Sequence, residues 1–121
     1  MTTDGSAEFL AMAADLTAAP TRVAVRAGTV MTKALTDIEA GAKNRAPVDT
    51  GALRNSITSE VQRRGNTIRG EVGPTVNYGR WVEQGTSKMR AQPYLRPATD
   101  AVVPGYEAAL GQLGVDAIGG G

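Results

Sequence analysis

The hydrophobic period of this chain changes at Ser56, and that change limits what it can build. From Thr21 to Lys43, Val23, Ala27, Val30, Met31, Ala34, Leu35, Ile38 and Ala42 recur at three- and four-residue steps, one apolar face of a long helix. Beyond Ser56 the step is two. Ile57, Ser59 and Val61 alternate with Thr58, Glu60 and Gln62; Ile68, Gly70 and Val72 alternate with Thr67, Arg69 and Glu71. These read as half-buried strands, and Gly65-Asn66 between them is hairpin-turn chemistry. A lone hairpin is marginal in water and has two free edges, so it needs helices or another chain to cover it.

The remaining segments fill in around that frame. Ser6 to Ala19 has helical spacing, with Phe9, Met12, Ala13 and Leu16 on one stripe and Pro20 as the stop. Gly28 lowers helical propensity in the long helix and would let another element come close. Gly41 and Asn44 loosen that helix's end, and Pro47 biases Ala46 towards extended geometry. Ala52 to Asn55 fits one helical turn capped by Asp49 or Thr50. Asn77 to Gln84 reads as a short helix with Asn77 as N-cap, Tyr78, Trp81 and Val82 on one face, and Gly85 as its stop. A polar, basic loop, Thr86 to Gln92, follows. Pro97 suits the first position of a final helix carrying Val102, Tyr106, Leu110 and Leu113, with a kink or restart expected at Pro104-Gly105. The expected fold is α+β: long N-terminal helices, a small antiparallel sheet built around a hairpin, a short helix and a C-terminal helix. With 121 residues it makes one domain, with residues 1–20 as a helical extension and 115–121 as a flexible Gly-rich tail.

Composition narrows the chemistry. The chain has no His and no Cys, which removes disulfides, thiolate nucleophiles, His bases and the usual Zn, Cu or haem ligands. The twelve acids are scattered, with no alternating acidic loop for Ca²⁺ and no spacing that announces a catalytic carboxylate pair. Glycine-rich phosphate-binding signatures are missing as well. Neither catalysis nor a cofactor or metal is expected. No apolar run approaches the ~20 residues of a membrane span, and no basic-then-apolar leader opens the chain, so a soluble protein made in a cytoplasm is expected.

The net charge of +1 hides a segregation. All 13 Lys and Arg fall between Arg22 and Arg96 against six acids there, leaving +7 in the middle, with three acids and no cation at each end. That pattern suits contacts of opposite sign between neighbours, and it equally suits a mixed solvated surface. Arg63 and Arg64 at the hairpin tip, with Lys88 and Arg90 in the later loop, are candidate contacts to DNA or an acidic partner; the plainer reading is that they are simply solvated. Tyr78, Trp81 and Tyr94 hold most of the aromatic content and lie near polar loops. Trp81 could anchor a partner or plug the core beneath the sheet.

Three strings stand out in order: Ala46-Pro47-Val48-Asp49-Thr50-Gly51-Ala52-Leu53-Arg54-Asn55-Ser56-Ile57, then Asn77-Tyr78 with Val82-Glu83-Gln84-Gly85-Thr86, then Pro93-Tyr94-Leu95-Arg96-Pro97-Ala98. Together they resemble the neck, or head–tail joining, proteins of long-tailed lambda-like bacteriophages, also described as tail-component or minor tail proteins. The resemblance covers roughly Ala24 to Tyr106, with Tyr94 where Phe is more usual. It implies a non-enzymatic virion protein, assembled in the host cytoplasm, that forms a homo-oligomeric ring in the neck. Its implied partners are its own copies, the head-closure (stopper) protein, the tail terminator or tail tube protein, and genome DNA passing through the lumen. No membrane or small-molecule substrate is implied. Pro47, Asp49, Thr50 and Gly51 would fix the turn from long helix to hairpin. Asn77, Glu83, Gly85 and Thr86 would shape the short helix and its loop. Tyr78, Trp81, Tyr94 and Leu95 would pack against the sheet or a neighbouring subunit. The alternatives are a tail terminator or tail-completion protein capping the tube and, from another class, a small cytosolic binding domain with weak non-specific nucleic-acid contact.

Overall fold

The computed structural model describes residues 10–47, 51–115 and 117–118, the last pair by backbone alone. In chain order the elements are β1 (Leu10–Asp15), α1 (Thr21–Arg45), α2 (Ala52–Ser56), β2 (Thr58–Arg64), β3 (Thr67–Gly73), α3 (Gly79–Gln84), α4 (Leu95–Gln112) and β4 (Ala117–Ile118). The four strands form one antiparallel sheet in the order β2-β3-β1-β4. The α+β class holds, and so does the long helix followed by a hairpin.

Helix α1 runs 25 residues and buries Ala24, Ala27, Met31, Ala34, Leu35, Ile38 and Ala42 along one stripe. That stripe and α4 cover one face of the sheet. Ile68 and Val72 of β3 and Met12 and Ala14 of β1 point into this layer and are at most 4% exposed. Tyr106 of α4 reaches the β1 carbonyl of Ala13 with its hydroxyl, 3.4 Å away. The close approach expected at Gly28 is not needed there, since an added Cβ would meet only Ile68 at an ordinary 3.7 Å. It occurs one helical face on, at Gly41, where a Cβ would sit 3.1 Å from that of Ala98 in α4.

The hairpin matches its sequence reading. Its register runs from Thr58↔Gly73 to Arg64↔Thr67, leaving Gly65 and Asn66 as a two-residue loop. Gly65 has φ 56 while no described non-glycine residue has positive φ, the signature of a turn with glycine at its first central position.

The N-terminal reading needs correction. Leu10–Asp15 is a strand, not part of a helix, and it lies between β3 and β4 rather than forming a helical extension. It pairs with β3 from Leu10↔Val72 to Asp15↔Thr67. Met12 and Leu16 fall on both a helical stripe and a two-residue alternation, so periodicity alone could not separate the two. Six residues of sheet pairing and burial of Ala11 to Ala14 outweigh alanine's helical propensity. The expected C-terminal tail needs correction at Val115 and Ala117–Ile118, while residues 116 and 119–121 lie outside the described residues. Val115 is buried, its amide donates to Leu110 at 3.0 Å, and Ala117–Ile118 pair with β1.

Helix α4 continues through Pro104 without a restart. Pro104 and the Asp100 carbonyl deprived of its partner are on the exposed side, where water can satisfy the oxygen.

Candidate functional site

The second and third strings meet in space, and Glu83 joins them. From the end of α3 its carboxylate accepts three main-chain hydrogen bonds at the start of α4. Oε1 takes the amides of Tyr94 at 2.9 Å and Leu95 at 2.8 Å, and Oε2 takes that of Arg96 at 3.0 Å. The first amides of any helix lack internal partners and carry its positive dipole end, so an anionic acceptor there is doubly favoured. The α4 N-cap, Tyr94, makes no side-chain cap bond of its own. Glu83 does that work from eleven residues upstream.

Tyr94 closes the unit from the other side. Its ring is 1% exposed, and its hydroxyl donates to the Gly79 carbonyl at 2.9 Å. Gly79 admits this packing because it has no side chain. A Cβ would stand 2.5 Å from Pro74 Cγ and 2.9 Å from the Tyr94 oxygen. Below α3, Thr75 donates both its amide and its hydroxyl to the Ser56 carbonyl, each at 3.1 Å. In the first string Leu53, Ser56 and Ile57 are buried while Arg54 and Asn55 face solvent. Three strings separate in sequence thus hold one junction between α2, α3 and α4.

The remaining sequence candidates fall out as follows. Gly51 holds φ 79 at the N-cap of α2, and Pro47 follows the α1 C-cap, Ala46, at ψ 138. Asp49 and Thr50 lie outside the described residues. Asn77 is not the α3 N-cap; Tyr78 holds that position at φ −87, with no side-chain cap bond. Gly85 ends α3 at φ 79, and a Cβ on it would press the Ala91 amide. The Thr86 hydroxyl accepts the Lys88 amide at 3.2 Å, and Thr86 and Met89 bridge the loop. Pro97 is the third residue of α4 rather than the first, still within the turn whose amides have no helical acceptor.

Of the four proposed interface side chains, Tyr94 and Leu95 are interior, at 1% and 6% exposure, and unavailable to a neighbour because they anchor α4 to the core. Tyr78 and Trp81 stay at the surface, 38% and 42% exposed. The Arg80 guanidinium lies over the Trp81 ring, 5.2 Å from its centre. Trp81 does not plug the core.

The four candidate basic residues are exposed but do not converge. Arg63 lies beside Gly28 and Thr29 in the first half of α1. The loop holding Lys88 and Arg90 is tied to α3 by the Gln92 amide on the Val82 carbonyl, and it leads into α4 where Ala98 meets Gly41. Gly28 and Gly41 are about 20 Å apart along the helix.

Among the described residues no group of three or more acids gathers as a metal site, and no helix is long and apolar enough to cross a membrane. The sequence reading missed Gly79, Pro74 and Thr75, whose roles depend on contacts that no spacing rule encodes.

A family model described as "Bacteriophage HK97-gp10, putative tail-component" matches residues 11–85. The chain belongs to this HK97-gp10-like family. Comparisons with curated proteins and with solved structures gave no match. In this HK97-gp10-like chain the matched span starts inside β1, thirteen residues before the Ala24 expected from the motifs, and ends at Gly85. It therefore includes β1 from Ala11 onward and the whole hairpin. Glu83 sits within the span, and the α4 amides it caps sit beyond it. The family is one of phage tail components, which supports a structural role in the tail or neck.

Proposed function

We propose that this chain is a non-enzymatic virion protein that forms a homo-oligomeric ring in the phage neck, between the head-closure protein and the tail. The family match over residues 11–85 carries the reading. The structure supports it by leaving Tyr78 and Trp81 outside a junction whose other aromatic, Tyr94, is spent on the core. A half-exposed Trp flanked by an arginine is the kind of anchor around which binding energy concentrates. Ring closure needs one patch to meet a different patch on the next copy, and the basic centre and acidic ends supply unlike surfaces. Head-closure and tail terminator or tube proteins would be its neighbours, with genome DNA passing through the lumen. Lys88 and Arg90 are the cations we place towards DNA or an acidic neighbour.

The test is a density map of intact virions, with a Trp81→Ala variant in parallel. The proposal expects a ring between stopper and tail, and particles that fail to join heads to tails when Trp81 is truncated while the isolated variant melts as the parent does. Density at the end of the tail tube would instead mark a terminator. A strict monomer in the presence of the adjacent neck and tail proteins refutes the ring. Charge reversal of Lys88 and Arg90 together should lower genome retention; unchanged assembly and retention would remove those two from the lumen.

A further inference from the structure

Strand β2 is a seven-residue sheet edge with six exposed residues and no proline. A two-residue hairpin closes on a hydrogen-bonded pair, here Arg64↔Thr67, so every second pair back from it is bonded as well. Glu60, Gln62 and Arg64 therefore turn their main chain towards β3. Ser59, Val61 and Arg63 turn theirs outward, with no strand beyond them among the described residues. On the helix-covered face, this edge borders a groove of about 570 Å³ whose lining includes Val25, Gly28, Val61 and Ile68. Val25 is 63% exposed and Val61 38%, two of the four large apolar side chains left open among the described residues.

From this edge we infer that two copies of this chain pair β2 against β2 about a two-fold axis at Val61, joining their sheets. An antiparallel pair centred on Val61 sets Val61 opposite itself and Ser59 opposite Arg63 of the second copy. All three outward residues then exchange main-chain bonds. The apolar side chains meet at the axis, beside Val25. The charges fit as well. The Ser59 hydroxyl already donates to Glu39 at 2.7 Å, so Arg63 of the second copy arrives beside a carboxylate.

On the open face Glu60 stands opposite Glu71 of its own hairpin, a like-charge pair. Glu71 is bridged by Arg69 at 3.2 Å, whereas Glu60 has no ion pair among the described residues. In the two-fold register Glu60 meets the Gln62 amide of the second copy, with that copy's Arg64 and Glu60 each one step diagonally away. Other registers are worse. A slip of two residues loses one of the three bonded pairs in either direction, and in one direction it sets Glu60 against Glu60. A slip of one sets outward groups against inward ones. Edge charges usually guard against pairing by repelling a second copy. Here Arg63 of each copy instead approaches the Glu39 carboxylate of the other, an attractive contact at both ends of the pairing.

The contact is two-fold and closes on itself, so it is distinct from the head-to-tail contact of a ring and does not rest on that reading. The chain's lack of cysteine makes the test clean. Sedimentation of the isolated chain should show a dimer of the 12.5 kDa unit at micromolar concentration. Val61→Cys should oxidise to a covalent dimer, because opposed residues in a bonded pair stand ~5.5 Å apart, within disulfide reach. Gln62→Cys, two residues out of register with itself, should not. Val61→Pro removes only an outward amide, so it should weaken the dimer ~30-fold or more while its circular dichroism and melting stay as in the parent. A wild-type monomer at all concentrations, cross-linking at 62 as readily as at 61, or a Val61→Pro protein still dimeric would each overturn the inference. Loss of the Val61 dimer with rings still formed would leave the neck reading intact.

Discussion

Replacing Glu83 should weaken the molecule more than any other exchange of a single solvent-touching side chain, and by an amount that can be worked out. Its carboxylate holds three amides at 2.8 to 3.0 Å, where an ordinary N-cap side chain holds one. Loss of one cap costs about 1 kcal/mol, and bonds to a charged acceptor are worth about 1.5–3 kcal/mol each before water replaces them. Water can reach the exposed Arg96, but the amides of buried Tyr94 and Leu95 are harder to resolvate. Glu83→Ala should therefore cost about 3 kcal/mol, a drop of roughly 10 °C in melting temperature for a domain of this size. Glu83→Gln keeps the shape and one acceptor oxygen, but its amide group meets the Arg96 amide donor to donor; about 1–1.5 kcal/mol should go. Urea unfolding of the two variants gives the ordering, and amide exchange gives the location. The Tyr94 and Leu95 amides should lose protection in Glu83→Ala well beyond the loss seen along α1. If both variants unfold within ~0.5 kcal/mol of the parent, the account of the α3–α4 junction is wrong.

Three further outcomes are expected. Gly79→Ala forces a Cβ to 2.5 Å from Pro74 Cγ and 2.9 Å from the Tyr94 oxygen, so it should cost at least ~2 kcal/mol in chemical denaturation, unlike Gly105→Ala, which meets nothing within 4 Å. Ala14→Pro, in a strand paired on both sides, should cost ~3 kcal/mol or more, where a residue in a detached N-terminal extension would cost little. Tyr106 sets an alkaline limit. Its burial, helped by nearby Glu107, pushes the phenol from 10.0 up to about 12. Between those values the unfolded chain loses its proton first, so stability is full below pH 10 and falls as pH rises, by up to ~1.4 kcal/mol per unit. Tyr106→Phe should flatten that part of the pH profile measured by denaturant titration.

Much of this fold was legible because α1 and the hairpin each present a single buried face, so their periods survive in the sequence. Strand β1 was not legible, because Leu-Ala-Met-Ala-Ala is apolar throughout and its apolar positions fit a helical stripe as well as a strand. Its partner in the sheet centre, β3, was readable from the Arg69 and Glu71 side chains on the open face. At the junction, the sequence pointed to Glu83 and Tyr94 but assigned them locally. Glu83 was expected to shape its own helix and loop, yet all three of its acceptor bonds cross to α4. By sequence Tyr94 fits packing on the sheet as well as packing on a neighbouring subunit, because its neighbours Pro93 and Arg96 are polar or turn-forming. Its burial depends on a hollow left by a glycine fifteen residues earlier.

Bonding capacity separates the parts of this molecule that can act from those that hold. In the junction much of that capacity is engaged: Glu83 accepts three amides, the Ser56 carbonyl accepts two donors, and the Tyr94 hydroxyl donates to Gly79. Among the described residues no buried side-chain nitrogen or oxygen is without a partner. A carboxylate that already accepts three backbone amides across two helices acts as a fastener between them. The unsaturated groups lie elsewhere, in the outward main chain of Ser59, Val61 and Arg63, the uncovered faces of Val25 and Val61, and the Tyr78–Trp81 pair. Substitutions in the fasteners should therefore lower assembly only as far as they lower stability. Substitutions at the open groups should lower assembly with stability unchanged. Measuring both quantities for Glu83→Gln and Trp81→Ala tests that division directly, and a Glu83→Gln protein that assembles poorly while melting like the parent would break it.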